Sequence, residues 1–497
     1  MDIMGPRIIS QIAMTIINGL AVIGGIIILN GLIARSYGID TLGEYLLMRR
    51  VAFALIPVSL YGVGIAIPRY LGLHRDRPEL RLSILRHGLS IFGRFGLPTL
   101  MVLILGLYLV SLLTDSQTVL SRAALPIGLL GAGGSFHLLA YNYFRGLRLM
   151  AMANALQLVN IGLLPLAIIL VLPGIPMMSM VAIHGLAVLV ITLAALAGPL
   201  FQAIRLNPHT TDHSLRREIS SYAFRRLGAS WGMLALMSLG PIFIAYFATW
   251  EEVAFFSVGM QVNRLFYVLF GPIGIVLLPV LSYHALKGPS ESVRLGIRAL
   301  YMGGIAIGSY ATCHLWFFAE PILTTWLGAS TFTGVRIFRL FSLSLTGYLL
   351  FELSRNPIDA IAETGYNSRN ILTGLACIVA VAWVLIGLLN YSVWQGVTIG
   401  YVVGFWVLGL MSVVTCVKLY GFTWLEPRFF IEVAGLNVFI LTILWMVIHY
   451  WVVDPSLMLI AILELLAGSC YVLGLMWLNQ EWLTMLRANG SIVTSDE

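Results

Sequence analysis

The residues of this chain best able to do chemistry are the few ionisable ones set within long apolar stretches. Arg264 lies in GMQVNRLFYVLF, with Gln261 one turn away on the same helical face. A guanidinium is a permanent cation whose planar fork suits bidentate contact with phosphate or carboxylate oxygens. Arg49 and Arg50 occupy an earlier apolar stretch, and Arg336 and Arg339 stand three apart, hence on one face, in a later one. These five arginines are candidate lining for a cavity that binds an anion. For Arg49, Arg50 and Arg336 the alternative is that long side chains reach outward to lipid headgroups. Glu352, Arg355 and Asp359 are spaced i, i+3, i+7. That spacing permits a structural ladder along one face, or a carboxylate at Glu352 that titrates and couples proton or Na⁺ movement, with Asp359 beside it. His137 is either a proton carrier or a structural side chain. Glu464 has no cation near it in sequence, so it is either protonated or partnered from another helix.

Uncharged polar residues recur in the same stretches: Asn18, Asn30, Asn142, Asn154, Gln157 and Asn160. They read as interhelical hydrogen-bond partners, or, for Asn154, Gln157 and Asn160, as lining of a hydrophilic cavity able to hold sugars. Cys313, Cys377, Cys416 and Cys470 lie within apolar stretches, with neither metal-ligand spacing nor a disulfide framework. No glycine-rich phosphate loop with a lysine is present, and no cofactor or metal is implied. Asp40 and Glu44, in IDTLGEY, faintly echo a metal-dependent glycosyltransferase but read better as the amphipathic start of a helix. No residue set points to an enzyme.

The elements that must position these residues are helices. Hydrophobic residues make up 59% of the 497, charged residues only 10%, and mean hydropathy is +0.93. A soluble domain carries about a quarter charged residues, and about 20 apolar residues cross a bilayer as a helix. The chain is therefore expected to be an all-α polytopic membrane protein of about fourteen spans, at 8–34, 45–71, 85–113, 122–144, 149–173, 177–202, 226–248, 252–283, 294–318, 334–359, 370–390, 394–416, 429–451 and 456–478. Strands of a barrel would instead alternate over about 10 residues. The first span lacks the short apolar region and small-residue cleavage site of a signal peptide.

Basic residues collect in alternate connections, for example Arg69, Arg75, Arg77, Arg81 and Arg86, then Arg145 and Arg148, then Arg216 and Arg217. Intervening connections carry acids such as Asp115, Glu251, Glu252, Glu320 and Asp454, with Arg35 and Arg122 as exceptions. The positive-inside rule then places both termini in the cytoplasm. Trp250, Trp326 and Trp394 fall at external span ends and Trp424 at an internal one, where amphipathic rings settle. The net charge of +7 is thus a topology signal, and nucleic-acid binding is not expected. Prolines inside spans, such as Pro57, Pro68, Pro241 and Pro357, bend or hinge helices.

The organisation expected is a six-helix bundle over 1–202, a cytoplasmic amphipathic linker over 203–225 containing LRREISSYAFRR, a second six-helix bundle over 226–416, and two additional helices with a cytoplasmic tail over 417–497. A shift of 211 positions lays Tyr45 on Phe256, Val51 on Val262 and Pro68 on Pro279, a faint parallel repeat of the kind that builds two-lobed transporters around a central cavity.

Three segments resemble one family. LNGLIARSYGIDTLGEYLLMRR (29–50) has a helix ending in a basic residue and a G-x₄-G-x-Y connection. ATWEEVAFFSVGMQVNRLFYVLFGPIGIVLLPVLS (248–282) and EPILTTWLGASTFTGVRIFRLFSLSL (320–345) complete the pattern. Over roughly the first twelve spans the chain resembles the polysaccharide-exporter branch of the multidrug/oligosaccharidyl-lipid/polysaccharide exporter superfamily. The resemblance implies two six-helix bundles in a V that work by alternating access, in a bacterial inner membrane. Multidrug antiporters of the superfamily usually carry acids in the first span, and 8–34 holds none. The G-F-x-R-D opening of peptidoglycan-precursor flippases is also absent. The implied substrate is an oligosaccharide on undecaprenyl diphosphate, for O-antigen, capsule or exopolysaccharide assembly. Its diphosphate would meet Arg264, Arg50 and Arg339, and a proton or Na⁺ would serve as counter-ion. A polysaccharide polymerase or ligase would need a large external loop, and none is present.

Overall fold

The computed structural model describes residues 6–74, 77–113, 122–205, 213–225, 227–285, 291–362, 365–451 and 457–478, all helices and short connections. Arg75, Asp115 and Asp454 lie outside them. By length and apolar composition, nine of the described helices are able to cross a membrane, or ten if one bent pair counts as a single span. Two shorter apolar helices cover 231–247 and 462–478. The protein is a multi-pass membrane protein. Each expected span coincides with a helix or with consecutive helices, although not all of them meet that criterion. The chain divides into two compact units, one of residues 13–257 and the other of residues 258 onwards together with the start of the chain up to residue 12.

The first unit begins within α1 (Pro6–Tyr37), at Ala13, and continues with α2 (Ile39–Leu60) and α3 (Val63–Leu73). The expected second span is broken here. Tyr61 and Gly62 both adopt left-handed backbone, at φ 47° and 76°, and α2 and α3 meet at a bend of 52°. The break comes four residues after Pro57, so the left-handed pair makes the corner, not the proline. A π turn (Phe92–Gly96) joins α4 (Pro78–Ile91) to α5 (Leu97–Leu113). Next come α6 (Ala124–Gly146) and α7 (Met150–Gln157), and a second π turn (Leu158–Leu163) leads to α8 (Leu164–Val171). The unit continues through α9 (Met177–Arg205), α10 (His213–Arg225) and α11 (Leu227–Phe247) into the start of α12 (Trp250–Ala285).

Packing in this unit follows small residues. Gly133 of α6 lies against the Gly185 carbonyl of α9, leaving no room for a Cβ. Close backbone approach of this kind replaces the hydrophobic drive that lipid does not supply. Within the segment that contains LRREISSYAFRR, residues 213–225 form helix α10. Leu215, Ile219 and Ala223 are buried at spacing i, i+4, i+8, whereas Arg216, Arg217 and Glu218 are exposed. Its apolar stripe joins a core with Val63, Ile67 and Tyr70 of α3, Ile84 and Leu85 of α4, and Leu139 and Tyr143 of α6. Arg69 lies over the Tyr222 ring at 4.4 Å.

The second unit holds the rest of α12, then α13 (Glu291–Phe317), α14 (Ala319–Leu327), α15 (Phe332–Ser342) and α16 (Leu345–Ile361). α17 (Tyr366–Trp383) ends in a π turn (Val384–Leu388) and is followed by α18 (Val393–Tyr420), α19 (Pro427–Trp451) and α20 (Leu457–Leu478). α18 is the packing centre. Gly396, Gly400 and Gly404 recur every four residues along its α17 side, and Gly409 abuts the Gly347 carbonyl of α16. A core of Tyr301 and Ile305 (α13), Leu350 (α16), Cys416 and Tyr420 (α18), Val433 and Ile440 (α19) and Tyr471 (α20) ties the last two helices to this unit.

Candidate functional site

In the first unit, α2 is apolar almost all round and buried along most of its length, and it carries Arg49 into the interior at 6% exposure. The guanidinium lies 5.2 Å from the centre of the Phe53 ring. The Tyr45 hydroxyl, one turn earlier, and the His184 imidazole of α9 are among its polar neighbours. None of these groups is an acid. A cation held by aromatic and neutral polar groups keeps much of its capacity to bind an anion. Arg50 is half-buried on the adjacent face.

His137 of α6 is buried in a polar cluster assembled around the second π turn. The Asn160 side-chain amide donates to His137 Nδ1 and to Thr192 Oγ1, each at 3.1 Å. An amide nitrogen only donates, so His137 Nδ1 accepts and its proton sits on Nε2. His184 Nε2 donates to the Asn160 carbonyl at 2.8 Å. The π turn matters because it re-aims this part of the helix and frees that carbonyl for a side chain. Across to α1, Asn18 bonds Gln157 at 3.2 Å and Asn154 bonds Thr15 at 3.4 Å.

In the second unit, Arg264 is exposed and Gln261 half-buried on α12, while their neighbour Asn263 is buried and donates to Ser344 at 3.0 Å. Arg336 and Arg339 share α15, whose N-terminus is capped by the Thr331 hydroxyl accepting from the Gly334 amide. Their guanidinium groups nevertheless take different partners. That of Arg336 is exposed over the Phe332 ring at 4.6 Å, and Arg339 Nε donates to the Trp316 carbonyl at 3.1 Å.

Glu352 is buried on α16, with the Tyr348 hydroxyl and the Arg355 guanidinium as its polar neighbours. Asp359 is exposed at the far end of the same face. Arg355 acts on both acids through its charge. Two close ion pairs lie elsewhere, from Arg428 to Glu432 and from His314 to Glu464.

Glu464 thus takes its partner from another helix, His314 of α13, at 2.7 Å. The pairing spans 150 residues, and no local pattern in the sequence marks His314. His184 was equally silent, being one polar residue in an apolar helix. A polar residue at bilayer depth is the signal available for both, and it does not name a partner.

No family model matches the chain, and no curated protein matches it in sequence. Solved structures do match. The lipid II flippase MurJ, in an inward closed conformation, superposes with a TM-score of 0.66 at 12% identity, over 96% of this chain and 100% of that one. An inward-facing multidrug resistance MATE family transporter of the MOP superfamily gives 0.64 at 15% identity, over 80% and 95%. The Vibrio cholerae MATE transporter VcmN gives 0.55 at 15% identity, over 85% and 98%. The chain has the transporter fold these proteins share.

Proposed function

We propose that this protein is a flippase that carries an undecaprenyl-diphosphate-linked oligosaccharide across the bacterial inner membrane by alternating access, for surface polysaccharide assembly. The observation that carries the reading is Arg49, a buried guanidinium set beside the Phe53 ring, the Tyr45 hydroxyl and the His184 imidazole. A diphosphate needs such cations in a low-dielectric setting, and arginine supplies paired donors. Arg264, Arg50, Arg336 and Arg339 are the further cations assigned to the diphosphate, with Gln261 beside Arg264. Glu352, Asp359 and His137 are the residues assigned to coupling with a proton or Na⁺. The neutral side chains around Asn154 and Gln157 suit sugars, and the polyprenyl tail stays in lipid.

A second reading, export of the peptidoglycan precursor lipid, is favoured by one observation. The match to MurJ takes in 96% of this chain, whereas the MATE transporter in the inward-facing form takes in 80%. Purified protein in liposomes separates the two. Polyprenyl-diphosphate oligosaccharide should become accessible to an external glycosidase, and lipid II should not. Arg264→Ala should lower the rate by about tenfold or more, equivalent to about 1.4 kcal/mol. Arg264→Lys should restore only part of it, because lysine lacks the fork. Equal rates for Arg264→Ala and the unaltered protein would overturn the assignment of Arg264.

A further inference from the structure

α10 gathers positive charge at one end of the first unit. Its buried stripe shares a core with α3, α4, α6 and Ala203 near the end of α9. That packing draws together arginines that the sequence scatters. Arg216 and Arg217 are exposed on α10, Arg69 on α3, Arg77 just before α4, and Arg205 at the end of α9. Gly146, the last residue of α6, lies against the Pro68 backbone of α3 with no room for a Cβ, so the turn that carries the exposed Arg148 starts beside α3. The exposed acids among them are Glu79 and Glu218, too few to balance six arginines. Arg77, Arg148, Arg216 and Arg217 form no close ion pair among the described residues.

The arginines are held in ways that suit phosphate. Arg69 lies over the Tyr222 ring at 4.4 Å and Arg205 over the Phe201 ring at 3.8 Å. A guanidinium stacked on a ring keeps the N–H donors along its edge for an oxyanion. Arg148 has left-handed backbone, at φ 60°. It closes α6 in a turn in which the Leu149 amide donates to the Phe144 carbonyl at 2.9 Å, and in which glycine normally takes the left-handed place. An arginine there carries a backbone strain that glycine avoids, and what it adds is an exposed cation.

The rings beside these cations point to a membrane and not to a soluble polyanion. Phe224 stands seven residues after Arg217, on the same face of α10, and is exposed. It packs on Phe95, also exposed, at 5.7 Å, and on Tyr61 at 5.9 Å. Phe201, the ring under Arg205, is exposed on α9. Phe95 and Phe201 both belong to helices long and apolar enough to cross a membrane. Exposed rings on such helices face lipid, so guanidinium groups beside them stand at the depth of the headgroups. We propose that this end of the first unit, centred on α10, is a binding surface for anionic phospholipid, with the arginines on the phosphates and Phe224 and Phe95 among the first carbons of the acyl chains. The proposal does not depend on what the protein transports.

The test counts lipids bound to the full-length protein by native mass spectrometry, with phosphatidylglycerol or phosphatidylcholine of the same acyl chains added to the protein in detergent. Phosphatidylglycerol should bind about tenfold more tightly, and its addition should slow hydrogen–deuterium exchange in 213–225. Each arginine near an anionic headgroup contributes about fivefold in affinity. The double variant Arg216→Gln, Arg217→Gln should therefore lose most of the preference. Arg148→Gly should weaken phosphatidylglycerol binding by about threefold to fivefold without lowering the thermal midpoint, because glycine suits the left-handed turn, which separates lost charge from misfolding. Arg35→Gln, at the other end of α1, should change nothing. Equal affinity for the two lipids would overturn the proposal, as would a preference that survives both the double variant and Arg148→Gly. Displacement of phosphatidylglycerol by an equal concentration of glycerol phosphate would also overturn it, in favour of a site for soluble anions. So would equal protection of 213–225 by transfer RNA in the absence of phosphatidylglycerol, in favour of a soluble partner.

Discussion

Arg49 and Glu352 illustrate two ways of holding a charged residue within apolar helices. Arg49 is wrapped by a ring, a hydroxyl and an imidazole, and Glu352 is set between a tyrosine and an arginine on its own helix. An ionisable group kept at such depth costs free energy, which function commonly explains. Glu352→Gln is expected to leave the protein in the membrane at normal abundance and to reduce transport by about tenfold. Transport that kept its rate and its dependence on a proton or Na⁺ gradient would return Glu352 to a structural role. Asn160 differs, since it satisfies His137 and Thr192 together. Asn160→Ala should lower stability by about 1 kcal/mol, read as a lower thermal midpoint in detergent, within the range of interhelical polar contacts in membranes.

At the scale of elements, glycine decides where helices meet. Gly62 has a left-handed φ of 76° and also receives the Ala223 carbonyl of α10 where a Cβ would stand. The corner between α2 and α3 and the seat of the amphipathic helix therefore depend on one residue. Gly62→Ala carries both a backbone strain and a collision with main chain, together about 2 kcal/mol or more. It should increase proteolysis within 213–225, measured against the unaltered protein. Gly409 plays the same part between α18 and α16, where it faces backbone instead of a movable side chain. The π turns at 92–96, 158–163 and 384–388, among the described residues, were not legible in the sequence. A π turn is one extra residue within an otherwise helical run, and hydropathy is blind to it.

At the scale of the whole molecule, the alternation of basic and acidic connections is a statement about orientation. A cytoplasmic reporter fused after Glu497 is expected to be active and a periplasmic one silent. The opposite result would invert the topology and move Arg216 and Arg217 to the outer side. The class of the protein and the placing of its helices were legible because transfer into lipid is a local sum over about 20 residues. The amphipathic helix was legible for the same reason, since Leu215, Ile219 and Ala223 repeat with the helical period. The arginines could be picked out, because a charge within an apolar run stands out without any structure.

Tertiary packing alone decided their company. Arg336 and Arg339 share a face by spacing, yet one covers a ring and the other bonds a carbonyl of α13. Glu464 stands without a cation for many residues on either side, and its partner, His314, lies 150 residues earlier. His137 comes from α6, Thr192 and His184 from α9, and Asn160 from the π turn that lies between them in the chain. Hydrophobicity and charge are properties each residue brings to its own helix. A hydrogen bond between helices depends on the angle and depth at which two helices cross, and those are settled by the small residues and cores that the whole fold brings together.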